Sequence, residues 1–299
     1  MVSVIVPTYN RPHLIGDSIE SILAQSIQDI EIIVIDGSTN DSTRDTIDNI
    51  SDPRIRYKRI ENRSAASSRN VGLSMAQGEF IAFNDDDDIW LPEKLEHQIK
   101  LIDAHLDCPI CFCAFEKKRG NRTQIIPDKM ETGCALLFSK LLFRNFIGLP
   151  TLLIRKQLLE KIHFDEQLTC LEDWDFSLSL ARENQIAYLD QVMVHVRDTP
   201  NSVNKASHAK KAESYKRIYT KFRSEIEKYP HIEAKHQLSI GSNLCLSGQL
   251  LEGRRYLTKA ARLSPLSPIV WMALIATYLG ERGYRELFKF FEKITSREP

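Results

Sequence analysis

Apolar runs and amphipathic stretches alternate along the first third of this chain, and that alternation limits its fold more than any other feature. Segments that read as strands at 2–6, 31–35, 54–60 and 80–83, largely apolar except for 54–60, are separated by stretches whose spacing predicts helices over 12–25, 43–50 and 65–76. In the first helix Leu14, Ile15, Ser18, Ile19, Ile22 and Leu23 share one face, with Pro12 in its first turn and Asn10 placed to cap it. Gly78 follows the third helix as a stop signal. Strand–helix alternation gives an α/β fold, a mostly parallel sheet covered by helices. Ligands of such sheets bind beyond the carboxyl ends of the strands. The loops at 7–10, 36–38 and 85–88 all follow strands, so they are expected to converge on one pocket.

The last of these loops is Asp85-Asp86-Asp87-Asp88, set between an apolar strand and Ile89-Trp90. Four like charges at the end of a buried strand repel one another, and folding alone gives no reason to gather them. A hard divalent cation relieves the repulsion, and Mg²⁺ or Mn²⁺ commonly bridges a few carboxylates to substrate phosphates. The run therefore reads as a metal–diphosphate site, with a solvated acidic loop as the competing reading.

The 299 residues suffice for one large domain and a smaller appendage. Lys+Arg and Asp+Glu are both 40, a balance that does not suit a nucleic-acid binder. No basic region precedes the first strand, so no signal peptide is expected. The longest apolar stretch, 269–279, falls short of the ~20 residues a membrane span needs. Six cysteines without a secretory signal point to reduced thiols and a cytoplasmic protein. Cys108, Cys111 and Cys113 form C-x-x-C-x-C, but the apolar strand at 110–115 would point Cys111 and Cys113 to one face as buried thiols rather than zinc ligands. Cys134, Cys170 and Cys245 follow no pattern.

Further strands are predicted at 151–155 and 187–196, and helices over 156–162 and 172–183. Glu172 and Asp173 open the latter helix, where acids complement the dipole. Beyond about residue 205 the strand signals stop. Helices are predicted over 244–263 and 268–279, joined by Ser264-Pro265-Leu266-Ser267-Pro268. The pattern of Gly248, Gly253, Leu257, Ala260, Ala261 and Pro265 resembles one tetratricopeptide hairpin. Two domains are expected, 1–204 and a helical region over 205–299. Phe288, Lys289, Phe290, Phe291 and Lys293 read as a packed helix with solvated lysines, with contact to anionic lipid as the alternative.

Five segments, in order over roughly residues 1–200, resemble the family 2 glycosyltransferases. They are Val2-Ser3-Val4-Ile5-Val6-Pro7-Thr8-Tyr9-Asn10, Val34-Ile35-Asp36-Gly37-Ser38-Thr39-Asn40-Asp41, Ser68-Arg69-Asn70-Val71-Gly72, the acidic cluster with Trp90-Leu91-Pro92-Glu93, and Glu172-Asp173-Trp174-Asp175. The resemblance implies a GT-A fold, a Rossmann-like mixed sheet flanked by helices, with a C-terminal helical appendage. It implies inverting transfer of one sugar from a nucleoside diphosphate, UDP favoured, to a sugar or lipid-linked acceptor. That chemistry belongs to cell-surface polysaccharide or glycolipid synthesis. It places Pro7, Thr8, Tyr9, Asn10, Asp36 and Ser38 at the nucleotide, and Arg69 with Asn70 near the base and diphosphate. Asp85 and Asp87 fill the D-x-D positions for Mn²⁺ or Mg²⁺, with Asp85 nearer the ribose and Asp86 beside the donor. Asp86 and Asp88 are supporting residues. Asp173 takes the general-base role beside Glu172, and Trp174 lies on the acceptor side. A helix N-terminus is expected to keep the pKa of Asp173 low.

The chain departs from the family at Thr199, which stands where many members carry a histidine, so metal binding is expected to rest on Asp87 and phosphates, with Asp198 helping. His195, two residues before Arg197, is expected to point elsewhere. Asn84 replaces a usually apolar residue. The Gln-x-x-Arg-Trp pattern of processive synthases is absent. A sugar-nucleotide-forming nucleotidyltransferase shares the architecture, but Pro7-Thr8-Tyr9-Asn10 is no glycine- and arginine-rich phosphate loop. The remaining alternative is a degenerate domain acting as a scaffold through its helical C-terminus. Peripheral contact with the inner face of the plasma membrane, and protein contact through the C-terminal helices, are compatible with either reading.

Overall fold

The computed structural model of the chain describes residues 1–61, 64–119, 122–128, 130–197 and 206–295, with backbone alone at 119, 122 and 289–295. Asp198 and Thr199 lie outside the described residues, as do the side chains of Lys289, Phe290, Phe291 and Lys293. Two compact units form, Met1–Gln167 with Glu172–Ser202, and Leu168–Leu171 with Val203–Pro299.

The first unit opens with β1 (Val2–Thr8), α1 (Pro12–Leu23), β2 (Ile30–Asp36), α2 (Ser42–Ile50), β3 (Ile55–Arg59), α3 (Ala65–Met75) and β4 (Phe80–Phe83). β2 and β4 are buried along their full length, as strands covered on both faces must be. β5 (Ile89–Trp90), α4 (Lys94–Ala104), β6 (Ile110–Arg119), β7 (Arg122–Ile126), β8 (Gly133–Ala135) and α5 (Phe138–Phe143) follow. β9 (Leu152–Arg155), α6 (Glu172–Ala181) and β10 (Ile186–Val196) complete it. The stretch predicted as a helix over 156–162 is a short 3₁₀ turn, Lys156–Glu160.

The sheet runs β3-β2-β1-β4-β9-β6-β10-β5, with β7 on β6 and β8 on β10. The first four strands are parallel, as the alternation predicts. Beyond β4 the sheet is mixed, because β9 pairs antiparallel with both β4 and β6. The link from β4 to β5 is too short for a crossover helix, and β5 pairs antiparallel with β10. The mixed sheet implied by the family resemblance is the one observed; the mostly parallel sheet inferred from alternation alone is not.

Two glycines let backbone layers approach closely. A Cβ on Gly72 of α3 would sit 2.4 Å from Ile5 Cγ2 on β1. One on Gly78 would sit 2.7 Å from the Ser3 amide nitrogen, so Gly78 admits β1 rather than capping α3, whose C-cap is Ala76. Cys111 and Cys113 are buried thiols in the main core, as their strand spacing predicts. The expectation that every thiol is reduced does not hold. Cys108 and Cys134 are joined by a disulfide, because β8, β10 and β6 lie side by side and bring their Cα atoms to 6.3 Å.

The second unit is helical, with α7 (His208–Lys221), α8 (Arg223–Ile226), α9 (Pro230–Leu246), α10 (Leu250–Leu263), α11 (Pro268–Ala276) and α12 (Gly280–Thr295). The single helix predicted over 244–263 is broken, because Gly248 takes a left-handed φ of +91° between α9 and α10. Gly241 and Gly253 let those two helices touch, a Cβ on Gly241 falling 2.9 Å from the Gly253 carbonyl oxygen. Among the described residues no helix is long and apolar enough to cross a membrane.

Candidate functional site

The register of the parallel strands places three loops side by side. Thr8 at the end of β1 pairs with Asp36 at the end of β2, and Ile5 pairs with Phe83, the last residue of β4. The loops after these strands carry Tyr9–Arg11, Gly37–Ser38 and Asn84–Asp88.

Asn10 does not cap α1, which has no side-chain cap. It takes φ +54°, a left-handed conformation that asparagine tolerates. From there its Oδ1 accepts the Thr39 amide at 3.1 Å, and its own amide donates to Ser38 Oγ at 2.8 Å. Asn10 therefore joins the first loop to the second. Asp36 is fully buried. Its Oδ1 accepts the Ser38 amide at 2.8 Å and its Oδ2 accepts the Tyr57 hydroxyl at 2.7 Å. Beside that carboxylate the Tyr57 phenol is pushed well above its usual range, by burial first and the hydrogen bond to Asp36 next. Asp36 is thus held by the second loop and by β3, with one hydrogen bond accepted at each carboxylate oxygen. Tyr9 is exposed.

Arg11 and Arg69 organise the acidic cluster. Nη1 of Arg11 donates to Asp86 Oδ1 at 3.0 Å and to Asp87 Oδ2 at 3.1 Å. Thr8 Oγ1 donates to Asp86 Oδ2 at 2.7 Å. Burial pushes the Asp86 carboxyl up to about 6, although Thr8 and Arg11 pull it down. Asp88 is buried and raised well above the carboxylate range by burial, then by the charges of Asp85 and Asp87; it accepts the Arg197 amide at 3.2 Å. Asn84 turns inward and donates to Ser18 Oγ at 2.9 Å and to the Asp88 carbonyl at 3.0 Å, which is why a polar residue fits where an apolar one is usual. Asp85 is the most open of the four, its side chain 38% exposed against 12% for Asp87.

Arg69 is buried and joins two loops far apart in sequence. Its Nη2 donates to Asp85 Oδ1 at 2.8 Å and its Nη1 to Glu172 Oε1 at 3.0 Å. The guanidinium lies 5.6 Å from the centre of the Phe164 ring, and its Nε is buried without a hydrogen-bond partner. Asp173, next to Glu172, accepts from Asn145 Nδ2 at 3.2 Å. Its carboxyl is pushed up to about 6, by burial first and by the Glu172 charge next. The expectation of a low pKa fails because enclosure outweighs the helix terminus. Leu171, immediately before, holds φ +63°, a strained setting for a branched side chain.

Two expected site residues serve the scaffold instead. The Asn70 amide is taken up by the 164–166 turn, donating to the Phe164 carbonyl and Glu166 Oε1, both at 2.9 Å, and accepting the Phe164 amide at 3.0 Å. Trp174 is buried and donates its indole N–H to the Leu141 carbonyl at 2.7 Å, so it presents no surface to an acceptor. His195 faces Glu116 at 3.5 Å. Arg11, Tyr57 and Asn145 are the partners that sequence reasoning missed. The short spacing of Arg11 from β1 was a usable signal for the first, but nothing local marks the other two.

The donor set is hard oxygen throughout. Among the described residues no group of three or more His, Cys, Asp or Glu side chains is arranged to hold a metal ion. Two carboxylates completed by substrate phosphates remain within the habits of Mg²⁺ and Mn²⁺, so open Asp85 and nearby Asp87 fit such an ion when a diphosphate supplies further ligands.

The sequence pattern described as Glycosyl transferase family 2 matches residues 3–162. The UDP-Glc:alpha-D-GlcNAc-diphosphoundecaprenol beta-1,3-glucosyltransferase WfgD of Escherichia coli is 35% identical over 191 residues, 64% of this chain and 73% of WfgD. The crystal structure of S. aureus TarS 1-349 in complex with UDP-GlcNAc superposes with a TM-score of 0.70 at 22% identity, over 98% of this chain and 91% of that one. The mannosyltransferase PcManGT from Pyrobaculum calidifontis in complex with GDP-Man and Mn²⁺ gives a TM-score of 0.58 at 17% identity, over 94% of this chain and 85% of that one. These two likenesses establish the GT-A fold. On the family match and the relationship to WfgD, the chain belongs to the family 2 glycosyltransferases and is a glycosyltransferase enzyme.

Proposed function

We propose that this enzyme transfers a single sugar, with inversion, from a nucleoside diphosphate to a hydroxyl acceptor in cell-surface polysaccharide or glycolipid synthesis, in a metal-dependent reaction. The observation that carries this is the chain of contacts from Asp85 through buried Arg69 to Glu172, adjacent to Asp173. One cation thereby spans Asp85 of the acidic cluster and Glu172, the chain neighbour of the candidate base. The transferase domain is taken as 1–204 and the helical region as 205–299. Nothing favours the scaffold alternative.

Asp87 and Asp85 are the residues that would hold Mn²⁺ or Mg²⁺. When bound, the ion would offset negative charge growing on the leaving diphosphate. Arg11 and Thr8 fix the carboxylates of Asp86 and Asp87, and Arg69 fixes Asp85. Asp36 acts as a positioning residue, holding the second loop through Ser38 and Tyr57 while exposed Tyr9 meets the base. Asp173 takes the proton of the attacking hydroxyl. A base with a pKa of about 6 is ionised near neutrality yet still basic enough to share the proton in the transition state. Asn145 orients it through Oδ2.

A UDP-sugar is the favoured donor and a lipid-linked sugar the favoured acceptor, since WfgD is named for both kinds of substrate. The enzyme would then work from the cytoplasm, peripheral to the inner face of the plasma membrane. Asp173→Asn is the direct test of the base. Transfer should fall about 10²–10⁴-fold while binding of the nucleoside diphosphate is retained. Transfer at the wild-type rate would remove Asp173 from that role.

A further inference from the structure

The chain reaches the candidate base by way of the helical unit. Residues up to Gln167 stay with the transferase unit, Leu168–Leu171 belong with the helices, and Glu172 returns to the transferase unit. This short excursion is anchored among the helices. Leu168 and Cys170 are buried, and the Cys170 thiol donates to Ser214 Oγ at 3.3 Å. Ser214, in the middle of α7, is buried as well. α7 is fixed in turn on α9, since His208 Nδ1 donates to Asn243 Oδ1 at 3.0 Å and Ala212 packs in one apolar cluster with Ile240 and Leu244.

The last residue of the excursion is Leu171, at φ +63°. There a leucine Cβ crowds the following carbonyl oxygen, and such backbone persists only where its surroundings over-determine it. The anchored residues before Leu171 supply one side of that constraint. On the other side Glu172 accepts from Arg69 at 3.0 Å and Asp173 accepts from Asn145 at 3.2 Å. Those two contacts hold only the ends of side chains. The backbone from which both carboxylates project takes its direction from the turn at Leu171.

We infer that Ser214 and Cys170 are positioning residues for sugar transfer: by holding 168–171 they fix the turn at Leu171 and so aim Asp173 at the acceptor hydroxyl. Small misplacements of a reacting group are costly in rate, so a base set on a strained turn needs that turn held. The helical unit thereby takes part in transfer through the residues it lends to the catalytic loop. The inference rests on the general-base role proposed above for Asp173, and it names what orients that base from the backbone side.

The test compares Ser214→Val with Ser214→Thr in the full chain. The two new side chains are close in volume, and only threonine keeps a hydroxyl to accept from Cys170. Leu168→Ala loosens the same segment from its other end. Amide hydrogen exchange, read by mass spectrometry on the peptide spanning 168–176, should be at least about fivefold faster in Ser214→Val and Leu168→Ala than in wild type or Ser214→Thr, with exchange in β1 and α3 unchanged. Turnover of UDP-glucose, UDP-GlcNAc and GDP-mannose with Mn²⁺ reads the consequence. For the sugar nucleotide that wild type consumes, kcat should fall at least about fivefold in the same two variants at unchanged KM, and Ser214→Thr should keep the wild-type rate. Unchanged exchange in both loosened variants, or faster exchange at undiminished kcat, would overturn the inference. So would equal losses in Ser214→Val and Ser214→Thr, which would make Ser214 a packing residue only. Wild-type turnover by Asp173→Asn would instead defeat the base assignment, which the exchange measurement does not touch.

Discussion

The guanidinium of Arg11 lies 3.1 Å from Asp87, the carboxylate proposed to meet the donor's metal ion. The same nitrogen reaches Asp86 at 3.0 Å, so one cation offsets two neighbouring negative charges. Removing it should leave them to repel. Arg11→Gln is expected to lower stability by about 1–3 kcal/mol, less than for a fully buried pair because Arg11 keeps some solvent. Mn²⁺ should raise the melting temperature of the variant more than that of wild type. Thermal melts with and without Mn²⁺ check both expectations.

The raised pKa of Asp173 sets a pH dependence. Its folded value, about 6, lies above the ordinary 3.8, so the protonated form is favoured by folding. Any stability this gives is present below about pH 4 and is lost as pH rises through about 6. Activity runs the other way, since the base must be ionised. The rate of transfer should climb with a midpoint near pH 6 and then level off. A rate profile flat from pH 5 to 8 would contradict it.

Lys94 is buried in the core, with its ammonium 3.9 Å from the centre of the Trp90 ring and 2.8 Å from Gln98 Oε1. Burial lowers its pKa to about 8, so the folded state releases its proton earlier than the unfolded chain. The penalty is absent above about pH 10.5, grows as pH falls toward 8, and stays constant below. It amounts to at most about 3 kcal/mol, reduced by the attraction to Trp90. Lys94→Met should therefore raise the melting temperature at pH 7 and change it little at pH 10.5.

Gly72 is where α3 meets β1. Gly72→Ala would drive a methyl group into Ile5 and should cost about 1–3 kcal/mol, read as a lower denaturation midpoint with an unchanged slope. Gly16, where an added Cβ would meet only Thr46 Cγ2 at 3.7 Å, provides the control.

Much of the first 83 residues was legible because β1, β2 and β4 are largely apolar and α1 repeats an apolar face. That pattern placed the loops after β1, β2 and β4 at one sheet edge. The antiparallel half was harder to read, since β9 reaches its place between β4 and β6 through tertiary pairing that leaves no periodic trace. The break at Gly248 was missed because apolar residues continue across it. Residue types in the acidic cluster marked the candidate site, but partners were not readable. Asp36 meets Tyr57 across 21 positions, and Asp173 meets Asn145 across 28. Asn70 and Trp174 sit in telling motifs, yet their side chains are engaged by backbone carbonyls.

The most direct test of the metal–diphosphate site is turnover of a panel of nucleoside-diphosphate sugars with Mn²⁺ or chelator, by wild type and Asp87→Asn. One donor should be consumed by wild type with Mn²⁺ only, and Asp87→Asn should lose nearly all of that rate while melting no lower than wild type. Equal turnover by Asp87→Asn, or turnover undiminished by chelator, would contradict the assignment.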